Sequence, residues 1–205
     1  MNLIDFLIKF ELLKTPEIIE AFRKIKRIDF LPEKLKDLAE LNEALPIGFS
    51  QTISQPLVVA FMFEHLQPKA GEKILDVGSG SGWTTALLTE IVGKNGKIIA
   101  LEIISELMEL GKKNVSKYNF IEKKIVEFVC ADGSKGYEKE APYDKILASA
   151  SASHLPDAWK KQLKIGGKIV TPIGNSIWVF TKIKENEFKE VEYSGFSFVP
   201  LIEGD

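Results

Sequence analysis

The pattern of apolar and polar residues changes character near residue 66. Ahead of that point Leu3, Ile4, Leu7, Phe10 and Leu13 recur with the three- and four-residue spacing of one helix face. A second helix is predicted to open with Thr15 as its cap and Pro16 in its first turn, so that Ile18, Ile19, Phe22 and Ile25 face inward. Phe30-Leu31-Pro32 ends this stretch. Residues 44–55, with Pro46, Gly48 and several polar side chains, read as a loop, and a further helix is predicted over 56–66.

From Gly71 the period shortens. Strands predicted at 73–77, 97–102, 125–131 and 143–149 alternate with helices at 83–92, 105–118 and 157–163, the signature of a parallel sheet with crossover helices. Strands near 168–172, 176–184 and 193–199 would close the sheet with a hairpin-containing edge, Asn186 supplying a turn. The expected fold is therefore α/β: a mostly parallel sheet, an antiparallel C-terminal edge and an N-terminal helical extension. Residues 1–205 are read as one domain, with a helical and lid section over 1–66 and an α/β core over 67–205.

Composition narrows the function classes. The 205 residues are 45% hydrophobic and 27% charged, an ordinary globular balance, and the net charge of −2 offers no footprint for nucleic acid or an anionic membrane. Only Arg23 and Arg27 are arginines, so forked clamps on carboxylate or phosphate are scarce. The single cysteine, Cys130, excludes an internal disulfide; it is predicted to be a small core residue in mid-strand. The N-terminus lacks a basic stretch of signal-peptide type, and no apolar run approaches the length of a membrane span. A cytoplasmic monomer is the expectation. His65, His154 and Cys130 are too few and scattered for zinc, and no metal is expected. His154 lies near Ser151, Ser153 and Asp157, but the elbow motif of a serine hydrolase is missing. Trp83, Trp159 and Trp178 read as packing residues.

The densest chemistry lies in Asp76-Val77-Gly78-Ser79-Gly80-Ser81-Gly82-Trp83, three alternate glycines between a strand and a helix. Such a loop lets backbone approach a ligand, with the helix N-terminus adding unpaired N–H groups. A dinucleotide loop wants a small residue where Trp83 stands, so that ligand is disfavoured. The spacing instead resembles the glycine loop of the Rossmann-like class I methyltransferases, which bind S-adenosyl-L-methionine. That resemblance implies Gly78, Ser79, Gly80 and Gly82 around the methionine part of the cofactor, with Asp76 supporting the loop or the cofactor amine. Glu102, followed by Ile103 at the end of the second core strand, can accept hydrogen bonds from both ribose hydroxyls. Asp132-Gly133 ends the third strand, where the methyltransferases bring an Asp to the adenine amino group.

Upstream, Leu45-Pro46-Ile47-Gly48-Phe49-Ser50-Gln51-Thr52-Ile53-Ser54-Gln55-Pro56 resembles the Gly-x-x-Gln-Thr-Ile-Ser-x-Pro signature of the protein-L-isoaspartate O-methyltransferases. Arg27-Ile28-Asp29-Phe30-Leu31-Pro32, Ala141 to Ile146, Leu163 to Lys168 and Phe198 to Leu201 extend the likeness over most of the chain. It implies methyl transfer from S-adenosyl-L-methionine to the free carboxylate of L-isoaspartyl residues in damaged proteins or peptides. The ester then collapses spontaneously to a succinimide, which is repair. It also implies Ser54, with Thr52, as catalytic residues, and Gln51, Thr52, Ile53 and Ser54 closing over cofactor and substrate. Residues 149–154 and 198–201 would hold the peptide.

The chain departs from the family at Glu40, Asn42 and Ala44, at Ser50, where glycine is frequent, and in the polar run Ser151-Ala152-Ser153-His154. These positions bear on the acceptor, and a family relative acting on another acceptor is the second reading. A cofactor-binding protein without catalysis is a third. Ser54 also sits where a helix cap for the 56–66 helix would stand.

Overall fold

A computed structural model describes residues 2–204. Two helices open it, α1 (Leu3–Lys9) and α2 (Pro16–Lys24), followed by short 3-10 turns at Arg27–Phe30 and Glu33–Leu38. The segment expected to be a loop is instead a small antiparallel hairpin, β1 (Leu45–Gly48) paired with β2 (Gln51–Ile53), which leads into α3 (Pro56–Leu66). The α/β part runs β3 (Lys73–Val77), α4 (Trp83–Val92), β4 (Lys97–Glu102), α5 (Ser105–Ser116), β5 (Val126–Cys130) and β6 (Tyr143–Ala148). It continues through α6 (Asp157–Gln162), β7 (Leu163–Ile173), β8 (Ser176–Lys184) and β9 (Glu187–Ser194).

These last seven strands form one sheet in the order β5-β4-β3-β6-β7-β8-β9, parallel from β5 to β7 and antiparallel from β7 to β9. The mixed sheet with its antiparallel C-terminal edge is the expected class. The final strand is displaced from expectation: it occupies Glu187–Ser194 rather than 193–199. Residues 185 and 186 make the turn, and Gly195, at φ +95°, takes the chain out of the sheet. β9 is mostly exposed, so no apolar alternation marks it; the Phe198-Val199 run reads as a strand but serves a different purpose.

Residues along β3 alternate between two cores, as a pleated strand requires. Ile74 belongs to the face packed by α1 to α5, with Phe22, Phe63, Trp83 and Leu87; Leu75 and Val77 belong to the opposite face, with Trp159 of α6. Each fully buried aliphatic side chain contributes about 1.5–3 kcal/mol, and the N-terminal helices add Leu7, Ile18 and Phe22 to the first core.

One local expectation holds in position only and another fails. Thr15 is the N-cap residue of α2, with Pro16 in the first turn. It makes no side-chain cap, however; its hydroxyl donates to Glu64 at 2.6 Å, and the Lys14 and Thr15 amides donate to the same carboxylate. Cys130 is the exposed last residue of edge strand β5, not a core residue, because β5 has a neighbour on one side only.

Candidate active site

Strand order reverses about β3, which pairs with β4 on one side and β6 on the other, and such reversals open a crevice beyond the strands' C-terminal ends. A cleft lies there, lined by residues following β3, β4, β5 and β6 and by the β1–β2 hairpin. The loop after β3 turns back through Gly78, Gly80 and Gly82 at φ +74°, +52° and +90°, a region side chains rarely adopt. The Gly78 and Ser79 amides donate to the Leu101 carbonyl at 2.9 and 3.0 Å, tying the loop to the end of β4.

Glu102 completes that junction. Its Oε2 accepts from the Gly80 amide at 2.9 Å and its Oε1 from the Ile104 amide at 3.1 Å. The carboxylate is buried yet lines the cleft, and each oxygen keeps acceptor capacity for a further donor. Ile103 lines the cleft beside it.

Asp76 does not reach the lining. It is fully buried beneath the loop, accepting from the Thr85 hydroxyl at 2.6 Å and the Thr84 hydroxyl at 3.1 Å. Burial pushes its carboxyl up to about 6, outweighing the two hydroxyls, and the Glu102 charge acts in the same direction. Gly82 is also off the lining. A β-carbon there would meet the Gly111 carbonyl of α5 at 2.9 Å and Val115 at 2.9 Å; one on Gly111 would meet the Gly80 carbonyl at 2.8 Å. Helix α5 thus lies directly on the glycine loop, and the Asn114 amide fastens it by donating to the Ser81 carbonyl at 3.0 Å. Gly111 and Asn114 carry no motif, and their role emerges only from the crossing.

Asp132 is the third expected residue outside the lining; Ala131 and Gly133 on either side line it instead. One Asp132 oxygen accepts from the Ser134 amide and hydroxyl at 2.9 and 2.7 Å. The other accepts from the Gly204 amide at 3.1 Å and lies 3.3 Å from the Lys135 ammonium. Burial alone would raise this carboxyl, but these partners hold it below the usual range. The Trp159 indole donates to the Gly133 carbonyl at 2.8 Å and fixes the turn from behind.

The cover over the cleft comes from two segments. Ile47, Gln51, Thr52, Ile53 and Ser54 of the hairpin line one wall, and Val199 to Ile202 of the C-terminal tail line another. The tail is pinned by the Ser151 amide donating to the Val199 carbonyl and the Leu201 amide donating to the Ser151 carbonyl, both at 2.8 Å. At the hairpin tip Gly48, Phe49 and Ser50 are all left-handed, at φ +101°, +52° and +57°, and Phe49 is exposed. A second cleft adjoins the first and shares Thr52, Ser54, Ser149 and Val199 with it; Ala44, Gln55, Val58, Ser197 and Phe198 complete its walls.

Ser54 is not the cap of α3. Gln55 holds that position, and the Leu57 amide donates to the Asn42 side chain at 2.9 Å. Two of the departures from the family pattern therefore have local work: Asn42 bonds the start of α3, and Glu40 accepts from the Leu3 amide at 3.0 Å. His154 pairs with the Ser153 hydroxyl at the surface, whereas Asp157 is held by Lys160 at 2.6 Å, so no triad forms. Among the described residues, no cluster of three or more His, Cys, Asp or Glu could hold a metal ion, and no helix is long and apolar enough to cross a membrane.

The first cleft suits a nucleoside with a charged amino-acid arm. Glu102 stands at one strand end, α4 begins without a side-chain cap, and the buried Ser79 hydroxyl and Trp83 indole N–H on the cleft wall have no partner among the described residues. Buried polar groups are seldom left unpaired, and a polar ligand would satisfy them.

Comparison with known proteins gives a consistent result. The profile of the protein-L-isoaspartate(D-aspartate) O-methyltransferase family matches residues 1–205. The chain is 39% identical over 205 residues to a Methanopyrus kandleri protein-L-isoaspartate O-methyltransferase, covering 98% of this chain and 90% of that one. It is 42% identical over 194 residues to protein-L-isoaspartate O-methyltransferase 2 of Archaeoglobus fulgidus, covering 93% and 87%. The fold matches a Plasmodium falciparum protein of that description, crystallised with S-adenosyl-L-homocysteine, at a TM-score of 0.89 and 22% identity over the whole of both chains. A second protein-L-isoaspartate O-methyltransferase structure matches at a TM-score of 0.87 and 26% identity, over 97% of this chain and 64% of that one.

Proposed function

This chain belongs to the protein-L-isoaspartate(D-aspartate) O-methyltransferase family, and from that premise we propose how its residues carry out the reaction. It transfers a methyl group from S-adenosyl-L-methionine to the free carboxylate of L-isoaspartyl residues in damaged proteins and peptides. The observation that carries the reading is the meeting of two clefts at Thr52, Ser54 and Ser149, one fitted to the cofactor and one open to an acceptor.

The cofactor, when bound, supplies a methyl group activated on a sulfonium. Glu102 would take the ribose hydroxyls, the loop Gly78 to Gly82 with Ser79 the amino-acid arm, and Ile103, Ala131 and Gly133 the base. Asp132 would contribute its carboxylate to the base by exchanging the Gly204 amide for it. Asp76 acts one layer below, holding the start of α4 through Thr84 and Thr85.

The acceptor needs no general base, because a carboxylate with a pKa near 4 is already ionised at neutral pH. The protein's task is alignment and exclusion of water, and good alignment is worth on the order of 7–11 kcal/mol. Ser54 and Thr52 orient the carboxylate at the junction. Gln51 and Ile53 close the cofactor side, and 149–154 with 198–201 hold the peptide. The cofactor would supply its methyl to the carboxylate oxygen that Ser54 and Thr52 orient, its sulfonium leaving as the neutral thioether with the electron pair of the broken carbon–sulfur bond.

We place this activity in one unit spanning 1–205, working as a cytoplasmic monomer; the free, exposed thiol of Cys130 suits a reducing compartment. The deciding experiment offers an isoaspartyl peptide and methyl-labelled cofactor. Base-labile label on the peptide is the expected result. No label, with cofactor binding intact, would assign the chain to a different acceptor within the family.

A further inference from the structure

Arg27 is one of two arginines in the chain, and its guanidinium is buried in a place that no part of the mechanism above uses. One terminal nitrogen donates to the Ala39 and Leu41 carbonyls at 3.2 and 3.0 Å. The other donates to the Glu43 carbonyl at 2.6 Å and the Ser54 carbonyl at 3.3 Å. Glu43 stands just before β1 and Ser54 just after β2, so a single nitrogen joins the two feet of the hairpin that covers the cleft. The guanidinium carbon lies 5.5 Å from the ring centroid of Trp83, the residue following the glycine loop.

The turn that carries Arg27 is held by Lys117 and Tyr118, the residues that follow the helix supporting that loop. Asp29, two residues on, accepts from the Tyr118 hydroxyl at 2.6 Å, and its carbonyl accepts from Lys117 at 2.6 Å. The Lys26 amide donates to Tyr118, and Phe30 stacks on the Tyr118 ring. These contacts follow α5, whose Gly111 lies against Gly80 and Gly82. A closed path therefore runs from the hairpin feet through Arg27 and α5 to the glycine loop. Burial pulls the guanidinium down to about 10, with Glu40 opposing, which leaves it cationic at neutral pH.

We infer that Arg27 is a positioning residue for methyl transfer: its planar fork fixes the hairpin, and with it Thr52 and Ser54, against the cofactor cleft. Lysine cannot replace it, because one ammonium has three N–H groups at a single point for four carbonyls that two nitrogens now share. The inference rests on the proposed reaction for its kinetic consequence, but not for the clamp itself.

The test uses full-length Arg27→Lys and Arg27→Ala, with three measurements: steady-state turnover of an isoaspartyl peptide, calorimetric binding of S-adenosylhomocysteine, and amide hydrogen exchange. In Arg27→Ala, kcat should fall on the order of 100-fold, the penalty of a misplacement near one ångström, while affinity for S-adenosylhomocysteine is retained. Amides of 45–54 should exchange faster in both variants, with β3 and β4 unchanged, and guanidinium ion should restore part of the turnover of Arg27→Ala where ammonium does not. If the alanine variant fails to fold, the lysine variant carries the kinetic and exchange readouts. Wild-type exchange over 45–54 in the lysine variant would overturn the inference, as would faster exchange throughout the sheet with a parallel loss of cofactor affinity. Failure of the wild-type enzyme on the peptide would strike the proposed reaction instead, leaving the exchange result to judge the clamp.

Discussion

The floor of the cleft and its cover are built on opposite principles. The floor, from β3 through the glycine loop to the ends of β4 and β5, is shaped mainly by backbone: left-handed glycines, amides of 78 and 79 on Leu101, and a helix pressed on the loop at Gly111. Its side-chain bonds from Glu102 and Asn114 are also made to backbone. In the cover, the tail is pinned backbone to backbone at Ser151. The hairpin is instead held by side chains reaching across long stretches of sequence, Arg27 to residues 39–54, Asn42 to Leu57, and Gln55 to the Asn42 carbonyl. At Gly82 and Gly111 the floor has no room for a side chain, because a β-carbon would meet a backbone carbonyl within 3 Å. The cover depends on a few polar contacts and carries two strained, non-glycine residues at its tip. Seat and lid are therefore fixed by different sets of contacts, so the cofactor side and the acceptor side can be perturbed separately.

The sharpest way to break this contrast is Gly82→Ala. The new β-carbon would stand 2.9 Å from the Gly111 carbonyl at a φ of +90°, combining overpacking with backbone strain. We expect a loss of about 3 kcal/mol or more in urea denaturation, together with loss of cofactor binding. A variant of wild-type stability that binds cofactor normally would refute the account of the floor.

Asp76 offers a pH test of the same region. Its folded carboxyl is raised to about 6, so between pH 4 and 6 the folded state holds the proton that the unfolded state has lost. Asp76 therefore makes the protein less stable as pH rises through that window, by roughly 3 kcal/mol at most for a shift of about two units. Asp76→Asn should remove this falling component from the curve of stability against pH. Identical slopes in both proteins between pH 4 and 6 would show that the burial of this carboxylate has no such consequence.

On the cover, Ser54→Ala should cut kcat by about 10–100-fold, the worth of one hydrogen bond to a charged group, with cofactor affinity retained. Unchanged turnover would remove Ser54 from the mechanism. The smallest expected effect is at the tip. Ser50 sits at φ +57°, so Ser50→Gly relieves strain but adds freedom to the unfolded chain. A net gain of about 0.5 kcal/mol should raise Tm by roughly 1–2 °C; a lower Tm would mean that the serine makes a contact worth more than its strain.

The same contrast explains what could be read from the chain before its structure. Alternate glycines, strand-end acids and apolar runs are local signals, and they mark the floor, the strand order and most helices. Asp132 shows the limit of such reading, since its position at a strand end was legible but its engagement with Ser134 and Gly204 was not. The hairpin was hidden because β1 and β2 are too short, at four and three residues, to display a period. β9 was hidden because neither face is buried, and Cys130 was misplaced because an edge strand resembles an inner one in sequence. For the cover, only the resemblance of the Gln-Thr-Ile-Ser run pointed to function; the side chains that hold it are distant in sequence and individually unremarkable.

The crossing of Gly82 and Gly111 bears on how such a protein can diversify. Neither residue can acquire a side chain unless the other's helix or loop retreats, and retreat would unseat Gly80 and Glu102 together. Lineages or libraries that explore new acceptors must leave this pair untouched while varying the lid. Cofactor preference is thereby inherited as a fixed block, and acceptor preference remains free to drift.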